Sequence, residues 1–281
     1  MSRFEWLEFD ASTFPQGGTL DETQMPTDGS SFYRAACRMR EAGFFDTAAQ
    51  LFARAIGFDE QHYLAWIGMI DSMVRAGHIE DADRKSYEAL NNYRQVRLFY
   101  ASRALALANR GSLDEAILLS DVSMEGEPSA YAYCIRAEIL LLQSGENRSE
   151  ALGFLEKAMN LAGDPWNTSL LGGMILLNAG WPALAAGYFS EALHCNPRAT
   201  AGFLYLGDCF KALRLYDQAQ FYYQKALEIT PKHELAVKRQ KECVPFIYGL
   251  TRVFHRETLR RRWNKEFEKL SKKGSSNGNH Y

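Results

Sequence analysis

One motif of small residues recurs six times along the chain at a spacing of about 34 residues, and this period limits the fold more than any other feature. Gly43 precedes Ala48-Phe52-Ala55; the next copies are Gly77 with Ala82-Ser86-Ala89 and Gly111 with Ala116-Ser120-Ser123. The fourth has one extra turn residue, Gly145 with Ala151-Leu155-Ala158, and the fifth is Gly180 with Ala185-Phe189-Ala192. In the sixth, Ala219-Tyr223-Ala226, Arg214 stands where the turn glycine belongs. Small residues at i, i+4 and i+7 share one helical face, and a glycine ahead of each run marks a turn. A fixed period of this length specifies stacked helical hairpins, each covering its neighbour's apolar face, rather than a single globular core.

With Pro128, Pro165, Pro197 and Pro231 closing four of the copies, the pattern resembles the tetratricopeptide repeat, whose unit carries A-x3-F and a closing Pro. The resemblance covers roughly residues 29–233 and implies an all-α, right-handed solenoid of antiparallel helix hairpins. The register divides it into 29–62, 63–96, 97–130, 131–165, 166–199 and 200–233. An acidic and aromatic arm with its linker precedes it over 1–28. A capping helix and a basic amphipathic helix follow over 234–272, and 273–281 reads as a disordered tail.

Individual positions fit this architecture. Ala36, Ala104, Gly173 and Gly207 are small where two helices of a hairpin approach, whereas Ile70 and Glu138 fall at the same register and predict looser second and fourth hairpins. Phe32, Trp66, Tyr100 and Phe203 are placed to fill the gap toward the next repeat. Asp46, Asp114, Ser149 and Asp217 are expected as N-caps of the second helices, and Pro182 suits a first helical turn.

In proteins with this repeat the concave groove is lined by set positions of each first helix. Carried over, these give Tyr33, Leu64, Ile67, Asp71, Leu98, Ala101, Leu105, Ile135, Ile139, Leu170, Met174, Leu204 and Asp208 as the partner-binding groove. The set is strongly apolar at its centre. Chaperone-tail-binding members of the family clamp a carboxylate with Lys, Asn and Arg, but Tyr33, Cys37, Gly68, Leu98 and Ser102 occupy those places here. The expected partner is a protein or peptide with an apolar segment, held as a helix or an extended strand. A second copy of the chain, the N-terminal arm or the C-terminal helix are the other candidates to cover so apolar a face. On this reading Leu105→Glu abolishes capture and leaves helix content intact.

The two ends differ sharply in charge. Residues 234–281 hold twelve Lys and Arg against five acids, a surplus of seven, so with a net charge of −2 the remainder carries −9. Leu259, Trp263, Phe267 and Leu270 fall at helical spacing, with Arg260, Arg261, Arg262, Lys265 and Lys269 among them as a basic helix. Such a helix either packs with a solvated charged face or engages an anionic membrane or nucleic acid, which makes recruitment the alternative function. Phe4, Trp6, Leu7 and Phe9 alternate with acids and suit an arm folded on the first hairpin or a docking motif.

Enzyme chemistry finds no support in the motifs. The six histidines are scattered, and phosphate-binding, nucleophile-elbow, dinucleotide and zinc motifs are missing from the sequence. No metal or cofactor is expected. Five cysteines without C-x2-C spacing read as reduced thiols, and with no apolar leader at Met1-Ser2-Arg3-Phe4-Glu5 the expected compartment is cytoplasmic. The expected role is therefore an interaction scaffold or chaperone-like adaptor.

Overall fold

The structure, a computed structural model, describes residues 27–143 and 147–243. The described residues form thirteen helices and no strand. They are α1 (Gly29–Ala42), α2 (Phe45–Phe58), α3 (Tyr63–Ala76), α4 (Ile79–Asn92), α5 (Arg97–Arg110), α6 (Leu113–Ser123) and α7 (Ala130–Gln143). These are followed by α8 (Arg148–Leu161), α9 (Pro165–Asn178), α10 (Pro182–Cys195), α11 (Thr200–Ala212), α12 (Tyr216–Ile229) and α13 (Glu234–Glu242). Odd and even helices pair as hairpins, and each hairpin packs on the next, so the chain is an all-α solenoid. The C-terminal basic stretch, the N-terminal arm and the turn at Gly145 lie outside the described residues.

The turns show how the repeat is made. Gly43, Gly77, Gly111 and Gly180 all adopt a left-handed φ, between 79° and 95°. The residue after each sends its N–H back five residues: Phe44 to Met39, His78 to Met73, Ser112 to Leu107 and Trp181 to Leu176, at 2.8–2.9 Å. This is a Schellman ending, in which the residue beyond the glycine also prefers an apolar contact with the finished helix. That same residue is the N-cap of the second helix, which is why α2, α4, α6, α10 and α12 start without a side-chain cap. Asp46, Asp114 and Asp217, expected as caps, instead sit one residue inside their helices, and Ser149 follows Arg148 at the start of α8. There the three aspartates meet the positive end of the helix dipole, a weaker contribution of about 0.3–1 kcal/mol each. First helices are capped more fully: Asp28 and Ser31 form a reciprocal capping box on α1, with Ser31 N–H donating to Asp28 Oδ1 at 2.8 Å. Pro165 and Pro182 open α9 and α10, where no donor is lost.

Close packing within hairpins rests on the missing side chains. A Cβ added at Gly173 would lie 2.7 Å from the Phe189 ring, and one at Gly207 would lie 2.5 Å from Tyr223. Ile70, wholly buried in α3, has the opposite effect: α3 and α4 touch along less of their length than the helices of any other hairpin. Glu138 does not loosen the fourth hairpin. Its carboxylate leaves that contact and accepts two hydrogen bonds from the Arg75 guanidinium, at 2.9 and 2.6 Å.

The array curls until its ends meet. α1 packs against α11, and His233, one residue before α13, donates from Nε2 to the Ala42 carbonyl at 2.8 Å across 191 residues of sequence. Phe44 stacks on the His233 ring with centroids 4.3 Å apart, and Phe45 reaches Tyr205 at 6.5 Å. First helices also touch the first helices of adjacent repeats, α3 with α5, α5 with α7 and α7 with α9. The concave side is therefore filled where these helices touch, and a half-open cavity remains in place of a continuous trough.

A candidate partner-binding cavity

Curling divides the thirteen groove positions into three groups. Tyr33, Leu64, Ile67, Asp71, Leu98, Leu170 and Met174 line one cavity of about 430 Å³. Ala101, Leu105, Ile135, Ile139 and Leu204 are wholly buried between helices and offer no surface to a partner. The reason is geometric: where successive first helices touch, the residues facing the axis become core. Asp208, the last of the set, is paired with Arg239 of α13 and accepts a hydrogen bond from the Tyr223 hydroxyl at 2.7 Å. Its burial raises its pKa above the usual carboxylate value, and Arg239 opposes that rise. The basic-helix residues Arg260, Arg261, Arg262, Lys265 and Lys269 lie outside the described residues.

Five hairpins contribute to the cavity wall. α1 supplies Tyr33 and Arg40, α2 supplies Phe45, and α3 supplies Leu64, Ile67, Gly68 and Asp71. α7 adds Tyr131 and Cys134 opposite them, and the α8–α9 connection adds Gly163 and Asp164. Asn167, Thr168, Leu170, Leu171 and Met174 of α9 complete the wall. Leu64 and Leu161 are 57% and 55% exposed, so the rim carries large apolar side chains that the fold leaves open. The repeat register placed seven of the first-helix residues of this wall. It missed Tyr131, Phe45 and Asp164, which are brought in by curvature of the array and not by register.

Polar groups are concentrated at the α3–α7 side. Arg75 is the centre of a buried cluster: its side chain is 3% exposed, and it bridges Glu138 at 2.6 Å and Asp71, with Nε 3.4 Å from Asp71 Oδ1. That second approach is an ion pair without a hydrogen bond, and both atoms are buried without a hydrogen-bond partner. The Tyr131 hydroxyl is likewise buried and unpartnered. Desolvation, reinforced by the nearby Asp71 charge, raises its pKa and keeps it a neutral phenol. Across the cavity Tyr33 is pushed up to about 12, chiefly by burial. Cys134 is pushed up to about 12 by the same cause, so it is an unreactive thiol. All five cysteines are free, and no group of His, Cys, Asp or Glu among the described residues is arranged to hold a metal ion. No helix among them is long and apolar enough to cross a membrane.

The repeat register and these hairpins define the chain as a helical-repeat solenoid, in which each hairpin is one repeat. No family model matches the sequence, and no curated protein does. Among solved structures it is similar to a tetratricopeptide repeat protein from Parabacteroides merdae, at 14% identity over 80% of this chain and 87% of that one, with a TM-score of 0.49. A thermophilic TPR protein of Thermus thermophilus is similar at 17% identity, 76% and 98% coverage and a TM-score of 0.44. YrrB, described as a TPR protein with an unusual peptide-binding site, is similar at 20% identity, 69% and 99% coverage and a TM-score of 0.41.

Proposed function

We propose that the protein is a protein-interaction scaffold that takes an apolar peptide segment into the concave cavity. The observation that carries this reading is the cavity itself: about 430 Å³, built by five hairpins, with exposed Leu64 and Leu161 at its rim and unpartnered polar atoms in its wall. Pockets of this size bury a few side chains, with apolar walls for affinity and a small number of polar groups for orientation. The cavity takes a short segment, not a whole helix laid along an open trough, because the axis beyond it is closed by buried Leu105, Ile135 and Leu204.

Leu64→Asp tests the reading without disturbing the core, since that side chain is exposed. Random peptides displayed on phage and selected on the immobilised full chain should enrich sequences rich in apolar residues. The variant should lose that enrichment while its far-ultraviolet helix signal stays unchanged. Equal enrichment by the two proteins would place binding elsewhere.

A further inference from the structure

Asp71 presents a chemical demand that the fold meets only in part, by an ion pair with Arg75 that lacks a hydrogen bond. The residue is 7% exposed, lines the cavity, and its Oδ1 is fully buried with no hydrogen-bond donor. Its charged neighbours are all identifiable. Arg75 is committed in bidentate fashion to Glu138, and stands 3.4 Å from Asp71 without hydrogen-bonding it. Arg40 and Asp164 also line the cavity, and their formal charges cancel. The sum over Asp71, Glu138, Asp164, Arg75 and Arg40 is −1. A buried carboxylate short of a donor is destabilised relative to one that is fully paired. The Tyr131 hydroxyl, close by on α7, is also buried without a partner, and a phenol oxygen accepts from a cationic donor, though more weakly than a carboxylate.

We infer that the wall at Asp71 and Tyr131 is a subsite for a basic side chain, so that the bound segment is a peptide with one Lys or Arg flanked by apolar residues. This assignment rests on the cavity being the binding site. The apolar lining from Leu64, Ile67 and Met174 takes the stem and neighbours of such a residue, and the carboxylate and phenol take its head. Lysine and arginine combine an apolar stem with a charged end, which is the combination the wall offers. Specificity follows from the same deficit: a neutral or acidic residue leaves Asp71 buried and unmatched, whereas a cation completes it.

The peptide selection described above, run on the full chain, tests the subsite with two variants. Wild type should enrich a basic residue between apolar ones, by about tenfold over a neutral residue at that place. Asp71→Asn, which keeps shape and removes charge, should retain apolar peptides and lose the basic preference. Should Asp71→Asn fail to fold, Tyr131→Phe should lower the preference, and an unchanged preference in that variant overturns the assignment. Apolar peptides selected by wild type with no basic residue overturn the subsite and leave the cavity reading standing. No enrichment at all overturns both. A wild-type dimer in sedimentation that Asp71→Asn dissociates puts a second copy in the cavity and overturns the peptide assignment. Protection of residues 255–273 from hydrogen exchange that is lost in Asp71→Asn does the same in favour of the chain's own basic segment.

Discussion

Arg214 shows how far one residue can depart from the repeat and what it costs. It occupies the turn position that glycine holds in four other hairpins, and it adopts φ 60° there. The turn still closes, with Leu215 N–H reaching the Phe210 carbonyl at 2.8 Å. A non-glycine residue in the left-handed region is strained, so Arg214→Gly should stabilise the sixth hairpin by about 1 kcal/mol, less a smaller entropic loss. A denaturant midpoint raised in the variant is the expected result. Gly207 marks the opposite limit, since no side chain fits against the Tyr223 ring. Both positions are visible in the sequence because a repeat lets each residue be compared with its equivalents. Asp71 is visible there as a groove position, but its pairing and the placement of Tyr131 are not, because these depend on contacts across two repeats, namely Arg75 with Glu138 and α3 facing α7.

At the scale of the helix, part of the groove face of the first helices has become a packing face. Leu105 of α5 was read as a groove residue and is wholly buried. Leu105→Glu is therefore expected to place an uncompensated carboxylate in the core and to unfold the central hairpins, with loss of helix signal at room temperature. A variant that keeps its helix content and thermal midpoint would show that α5 faces solvent. Helix identity, order and turns were legible from the period, because small residues and glycines record local geometry. Curvature was not, because it is set by how bulky each interface is between repeats, and no single motif records that sum. Ile70 illustrates the point: it spreads α3 from α4, while Glu138 at the equivalent position pairs with Arg75 and leaves its hairpin tight.

On the scale of the whole molecule, closure depends on a small contact between distant ends. His233 donates from Nε2 to the Ala42 carbonyl and accepts through Nδ1 from Ala236 N–H at 3.3 Å, so it is held as a neutral ring. Burial, with Arg239 acting in the same direction and the Ala42 bond and Glu234 opposing, lowers its pKa below the ordinary value of 6.5. The sign follows directly. A histidine whose folded value is depressed contributes its stabilisation fully above the unfolded value, and that contribution is lost as pH falls toward the folded one. Unfolding midpoints should therefore drop between neutral pH and pH 5, and His233→Phe, which keeps the stack on Phe44, should flatten that dependence. An equal slope in both proteins would assign the pH response to other groups. The cavity depends on this contact, since Tyr33, Arg40 and Phe45 come from the first hairpin that His233 holds in place.

The meeting of the first and last hairpins is also what separates a bounded cavity from a continuous groove. Spin labels at Arg38 and Lys232, both exposed, report on it directly, with Cys37 and Cys195 replaced by Ser. Pulsed electron double resonance at neutral pH should give one narrow, short distance between α1 and the segment leading into α13. A broad or long distribution would mean that the array is open, and that the cavity does not exist in solution.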